Sequence, residues 1–248
     1  MKPIAALIFF TRLPLWRWFT VPPEYYKNLV AYWSMSGWIT ASISAFTLWC
    51  CSHFLPFTVS LLLAILARLL LTGGLHEDGL ADFFDGFGGG RSRERILAIM
   101  KDSHIGSYGV LALILYFFLY YSSLNSLSLQ MATLTLLMAD PASKLISSMI
   151  INRLPYARKE EESKAKVTYS PMTKKEMMIS AFFGLTPLLL FGGWSALLAL
   201  IFPVILFFVL TNYMKKRING YTGDCCGALF LLCEVAFIIN YLVIIQWN

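Results

Sequence analysis

The sequence predicts an all-α polytopic membrane protein with about seven transmembrane helices, a cytoplasmic N-terminus and an active site at the cytoplasmic face. Three observations carry this. Of the 248 residues, 58% are hydrophobic and 14% are charged, whereas soluble domains carry about 25% charged residues. Seven apolar stretches come near the roughly 20 residues that a bilayer requires. The twenty Lys and Arg residues are also sorted by position. They lie before residue 28, in 91–101, in 153–175, in 215–217, or inside a span as Arg68 and Lys144. Alternating the spans puts all these polar loops on one side, and the positive-inside rule makes that side cytoplasmic. The net charge of +6 follows from this bias, so no nucleic-acid partner is expected. The lipid bilayer is the expected partner, and a homo-oligomer is left open.

Along the chain, residues 1–30 read as an interfacial segment. It is too short to span and carries Trp16 and Trp18 at headgroup depth, where it could roof the site. It shows no secretory cleavage signal, so it is expected to stay. The spans run over 31–53, 55–72, 108–123, 127–151, 178–192, 194–212 and 225–247. The turns near His53–Pro56, at 123–126 and at Gly192–Gly193 contain no Lys, Arg, Asp or Glu, and they face outside together with Asn248. Three charged cytoplasmic segments remain: 73–107, which holds the chemistry, 153–177 and 213–224. Residues 1–248 form one integral membrane domain. The five cysteines (Cys50, Cys51, Cys225, Cys226, Cys233) form no CxxC pair and suit apolar packing.

The segment 73–90, "GGLHEDGLADFFDGFGGG", is the most informative. Asp78, Asp82 and Asp85 stand at i, i+4 and i+7, which on a helix aligns three carboxylates in one stripe. They repel unless a cation intervenes, and Mg²⁺ binds carboxylates while sharing substrate phosphates. Glu77 and His76 adjoin the stripe. The flanking glycines permit tight turns and close approach of backbone N–H groups to an anion. A solvated acidic helix is the alternative, but the stripe lies between two apolar segments.

Three further polar patches face the same compartment. "GGGRSRERILAIMKDSHIGSYG" carries Arg91, Lys101 and Asp102; "PYAR" carries Arg158; "GYTGDCCGA" carries Asp224 at the mouth of the last span. Carboxylates for a metal beside Arg and Lys for anions are the components of phosphoryl transfer. Metal ligation is expected from Glu77, Asp78, Asp82 and Asp85. Substrate contacts are expected from Arg91, Lys101, Asp102, Arg158 and Asp224; for Asp224 a helix cap is the alternative. A general base comes from Asp82, Asp85 or His76, between which the sequence does not choose. His53 and His104 read as interfacial and loop residues. Inside the spans, Asp140 and Lys144 at i, i+4 neutralise each other. Glu234 is either functional or the partner of Arg68. The Phe and Tyr runs, Tyr120 among them, read as lipid-facing or core packing.

"FFTRLPL" at 9–15, the block at 73–90, "MKDSHIGSYGVLAL" at 100–113, "PYAR" at 155–158 and "YTGDCCGA" at 221–228 together resemble the cobalamin synthase family, the adenosylcobinamide-GDP ribazoletransferases. The motifs run in order over nearly the whole chain. The resemblance implies that adenosylcobinamide-GDP and α-ribazole, or its 5′-phosphate, give adenosylcobalamin, or its 5′-phosphate, and GMP. It also implies Mg²⁺ as cofactor and a multi-pass location in the bacterial inner membrane. One departure is Lys144, where an arginine is expected. Two rival classes remain. "DFFDG" at 82–86 begins like a CDP-alcohol phosphotransferase pattern that is not completed, and a prenyltransferase would need a second Asp-rich cluster. An ion-coupled transporter would use Asp140 and Glu234, yet the ionisable residues cluster at one face.

Overall fold

The computed structural model describes residues 1–158 and 169–246; Asn248 and part of the 153–177 loop lie outside them. All regular elements among these residues are helical. They are α1 (Lys2–Phe10), α2 (Trp33–Cys51), α3 (Phe57–Thr72), α4 (Leu75–Gly89), α5 (Arg93–Ile99), α6 (Ser107–Asn125), α7 (Leu129–Ser148), α8 (Ile150–Arg153), α9 (Lys174–Phe191), α10 (Gly193–Leu198), α11 (Ile201–Ile218) and α12 (Gly223–Gln246). Two 3₁₀ segments, Pro14–Arg17 and Pro23–Tyr32, join α1 to α2. A helix therefore stands at each of the seven expected places. Among the described residues, four spans are long and apolar enough to cross a membrane: α6, α7 with α8, α10 with α11, and α12. The bent pair α3–α4 raises the number to five if it is one broken span.

Local chemistry sets the helix ends. The Ser128 hydroxyl accepts the Met131 N–H at 3.3 Å and starts α7. Thr173 and Glu176 form a reciprocal capping box at the start of α9, four residues before the expected span. Glu176 also accepts the Lys2 ammonium at 2.8 Å, tying α1 to α9.

Helices α7 and α12 form the interior of the bundle, and α2, α3, α6, α9 and α11 surround them. The α2–α7 contact rests on small residues, as expected where lipid offers no hydrophobic drive between helices. A Cβ on Gly37 would lie 2.8 Å from Pro141 Cα. Outward faces are apolar: Trp194, Ile205, Phe208 and Val209 are exposed.

The charges carried into the interior are paired. Arg68 Nη1 donates to Glu234 at 2.6 and 2.8 Å. Its Nη2 donates to the Tyr116 hydroxyl at 2.7 Å, and Nη1 reaches the Tyr120 hydroxyl at 3.2 Å. Tyr120 is therefore a polar partner in the core rather than the apolar packing its run suggests. Its phenol supplies a contact that a buried guanidinium requires. Lys144 Nζ lies 2.7 Å from Asp140 Oδ1 and donates to Thr40 Oγ1 at 2.8 Å, while Thr40 donates to Asp140 Oδ2 at 2.7 Å. Breaking one partner of a buried pair costs roughly 3–5 kcal/mol. Glu234→Ala should therefore lower the thermal unfolding midpoint in detergent, and Arg68→Met combined with Glu234→Leu should recover part of the loss. An unchanged midpoint in Glu234→Ala would show that the pair does not hold α3 to α12.

Candidate active site

The site begins with an elbow. Helix α3 ends at Gly73 (φ 68°), Gly74 follows at φ 69°, and α4 leaves at 88°. Two successive left-handed residues require glycine. The "FFTRLPL" segment packs on this elbow, where the Arg12 N–H donates to the Leu71 carbonyl at 2.6 Å and its guanidinium covers Gly73. Helix α4 then crosses the start of α12 at close range. A Cβ on Gly79 would lie 3.1 Å from Asp224 Cα, and one on Gly227 would lie 3.1 Å from the His76 carbonyl. The glycines expected to free backbone donors for an anion here allow two acidic helix starts to touch.

The crossing opens into a cavity of about 120 Å³. His76, Asp78, Arg158 and Asp224 line it together with an aromatic wall that includes Phe9, Phe10, Trp33 and Tyr169. Arg158 Nη2 lies 3.9 Å from Asp224 Oδ2 and donates to the Leu97 carbonyl at 3.1 Å. The extended segment carrying Arg158, the strap, is fastened to the segment before α12. The Ala157 N–H donates to the Tyr221 carbonyl at 2.8 Å, and the Tyr221 N–H donates to the Pro155 carbonyl at 3.0 Å. Arg93 holds both segments, donating to the Ile218 carbonyl at 2.9 Å and the Ala157 carbonyl at 2.7 Å. A second, basic cavity of about 410 Å³ shares Arg158 and adds Arg93 and Lys101.

The sequence-predicted residues thus separate. His76, Asp78, Arg158 and Asp224 come together, and Lys101 joins through the second cavity. Arg91 is exposed and lines neither. The His76 ring is buried between Trp33 at 5.7 Å and Phe230 at 4.8 Å, and its Nε2 has no hydrogen-bond partner among the described residues. Glu77 is buried; Oε1 lies 3.8 Å from Arg68, and Oε2 has no hydrogen-bond partner among the described residues. Asp78 is exposed and Asp82 buried one turn on. Asp85 is engaged elsewhere: it accepts the Gly106 N–H at 2.7 Å and the Gly109 N–H at 2.9 Å, capping α6. Asp102 accepts the His104 ring nitrogen at 2.6 Å on the exposed surface, and this contact holds the His104 pKa above its usual value and that of Asp102 below its own.

Among the described residues no three His, Cys, Asp or Glu side chains converge into a metal cage. The donor set nonetheless suits Mg²⁺, which is commonly held by one or two carboxylates plus substrate phosphates. Asp78 and Asp224 supply two on one cavity. Sequence reasoning missed the aromatic wall and the fastening role of Arg93, because both depend on contacts far apart in the chain. The "FFTRLPL" motif, which holds Phe9 and Phe10, was the one local signal of the wall.

Removing the Asp85 carboxylate leaves two N–H groups of α6 without their acceptor. Asp85→Ala should cost about 1–2 kcal/mol of stability. Thermal unfolding in detergent checks this, and wild-type stability would remove the capping role.

The chain matches the family model described as cobalamin-5-phosphate synthase over residues 2–243. It is 38% identical to the adenosylcobinamide-GDP ribazoletransferase of Shewanella sp. strain W3-18-1, covering 98% of this chain and 92% of the relative. It is 38% identical to the protein of the same name from Shewanella baltica strain OS185, covering 97% and 93%. It is 36% identical to that of Shewanella oneidensis, covering 96% and 92%. No solved structure matches it. With the motifs of elbow, crossing and strap all inside the matched span, the chain belongs to the cobalamin-5-phosphate synthase family.

Proposed function

We propose that this chain joins adenosylcobinamide-GDP to α-ribazole, or its 5′-phosphate, giving adenosylcobalamin, or its 5′-phosphate, and GMP. The observation that carries the reading is the single cavity on which α4, α12 and the "PYAR" strap present His76, Asp78, Asp224 and Arg158. In the transfer, the ribose 3′-hydroxyl oxygen bonds to the phosphorus that bears the cobinamide. The P–O bond to the GMP phosphate breaks, and GMP departs with the electron pair.

His76 is the residue assigned to receive the hydroxyl proton. It lines the cavity with an unpartnered Nε2, whereas Asp82 and Asp85 lie outside the lining. Arg158 grips phosphate oxygens and Lys101 adds charge on the neighbouring cavity. When bound, Mg²⁺ would be held by Asp78 and Asp224, with Glu77 and Asp82 behind them, and would neutralise charge on the diphosphate. Asp85 holds α6 and the 90–106 loop in place instead. The aromatic wall excludes water from the reacting groups.

The proposed topology has seven spans (α2, α3, α6, α7–α8, α9, α10–α11 and α12) in the bacterial inner membrane, with the N-terminus and the site cytoplasmic and the C-terminus outside. It is supported by the helix ends that share the site. The start of α2, the start of α4 just after α3, the start of α12 and the segments after α8 and before α9 all line the one cavity. The transporter reading loses its ion pathway, since Asp140 and Glu234 are engaged by Lys144 and Arg68.

Purified protein with adenosylcobinamide-GDP and α-ribazole 5′-phosphate should form the cobalamin product and GMP only when Mg²⁺ is supplied. Asp78→Ala, Asp82→Ala and His76→Ala should each reduce turnover about 10²–10³-fold while inserting normally, and Glu24→Gln, at an exposed position outside both cavities, should not. Full activity of Asp78→Ala at limiting Mg²⁺ would remove the metal assignment. For topology, single cysteines at His53, Ser126 and Trp194 in a cysteine-free background should react with an impermeant maleimide from the periplasm. Labelling of all three only from the cytoplasm would invert the arrangement.

A further inference from the structure

The two cavities that meet at Arg158 differ in chemistry. The first is lined by the rings of Phe9, Phe10, Trp33 and Tyr169 and by the charged groups of Asp78, Asp224 and Arg158. The rings are packed on one another: Phe10 and Trp33 lie 5.3 Å apart at 16°, and Phe9 meets Tyr169 edge-on at 6.4 Å. Its volume of about 120 Å³ is below the about 150 Å³ of an apolar cavity that binds benzene, so it admits one ring of a fused base and leaves the remainder at its mouth. The Trp33 Nε1 and His76 Nε2 atoms in this wall are buried without hydrogen-bond partners among the described residues, and buried polar atoms of this kind call for an explanation.

The second cavity has no aromatic lining. Arg93, Lys101 and Arg158 give it three cations against one carboxylate, Glu94. That is an anion's environment, and a planar guanidinium suits phosphate.

Resting on the reaction proposed above, we infer that the cavities sort the two reactants. The aromatic cavity seats the flat heteroaromatic base of the acceptor nucleoside, with its ribose toward Asp78 and Asp224. The basic cavity seats the guanosine phosphate that leaves. Arg158, common to both linings, stands where the phosphorus changes partner. This arrangement would bring the nucleophilic hydroxyl and the leaving phosphate to the phosphorus from different cavities, as suits an in-line displacement, in which the attacking and leaving oxygens lie on opposite sides of the phosphorus. It also gives specificity without base-specific hydrogen bonds, because stacking on aromatic rings recognises a flat base by area.

Binding of fragments tests the sorting apart from turnover. Detergent-solubilised full-length chain is titrated calorimetrically with free 5,6-dimethylbenzimidazole and, separately, with GMP. Both should bind, each without displacing the other. Tyr169→Ala and Phe9→Ala should weaken the benzimidazole at least tenfold and leave GMP within twofold. Lys101→Ala should do the reverse. In the full assay Tyr169→Ala should raise the KM for α-ribazole 5′-phosphate while the KM for adenosylcobinamide-GDP stays within twofold. Competition between the two fragments, loss of GMP affinity in Tyr169→Ala, or no effect of either aromatic substitution would overturn the inference. A wild-type chain that binds both fragments as described but forms no product would overturn the proposed reaction and leave the sorting supported.

Discussion

The guanidinium of Arg68 is the point on which the rest of the arrangement depends. It is 3% exposed, in the last part of α3, and an unpaired ion at that depth would cost several kcal/mol. Its contacts come from three other helices: Glu234 of α12, Tyr116 and Tyr120 of α6, and Glu77 of α4 at 3.8 Å. Sliding α12 by one turn along α3 would leave both charges orphaned, so the pair fixes the register of α12. That register sets the height of Asp224, ten residues earlier in the same helix, against the elbow at Gly73–Gly74. The ion pair therefore acts on the site through position, from below.

A second buried node does the same work on the other side of the bundle. Asp140 and Lys144 of α7 meet Thr40 of α2, and Lys144 Nζ stands 5.0 Å over the Phe230 ring. Phe230 in turn contacts His76 edge-on. His76 is thus wedged in a packed chain that ends on a cation. The lysine at this position is consistent with its surroundings. Thr40 takes the second Asp140 oxygen, so a compact ammonium with one carboxylate contact suffices and a guanidinium fork has no second oxygen to reach.

How much of this was legible in the sequence follows from the range of each signal. Apolar length and charge placement are local, and helices stand where they were expected, with ends displaced by up to six residues, as where α11 runs to Ile218 rather than 212. The capping box that starts α9 at Lys174 rather than 178 was readable from Thr173 and Glu176 but was hidden by the charges around it. The stripe at i, i+4, i+7 was legible as a stripe, yet its partners were not. Asp85 meets Gly106 and Gly109, more than twenty residues away, and nothing in the local pattern separates a carboxylate that caps another helix from one that waits for an ion. The same holds for Arg93, which looks like one more cation in a basic run and is instead spent on two backbone carbonyls.

The acidic stripe itself shows why a pattern of carboxylates alone is weak ground for a metal. Along α4, Asp78 and Asp85 are separated by about 10 Å at 1.5 Å per residue. Because α4 lies at 88° to α3, that length reaches from the start of α12 to the start of α6. Both are helix N-termini, each carrying a partial positive charge. Asp85 is neutralised by N–H groups of α6, and Asp78 sits beside the first turn of α12. The mutual repulsion of the stripe is therefore relieved at both ends by the fold itself, before any ion is considered. What distinguishes the α12 end is that it alone opens on a cavity shared with a second aspartate and an arginine. The proposed catalytic role belongs to that end of the stripe, and structural cohesion to the other.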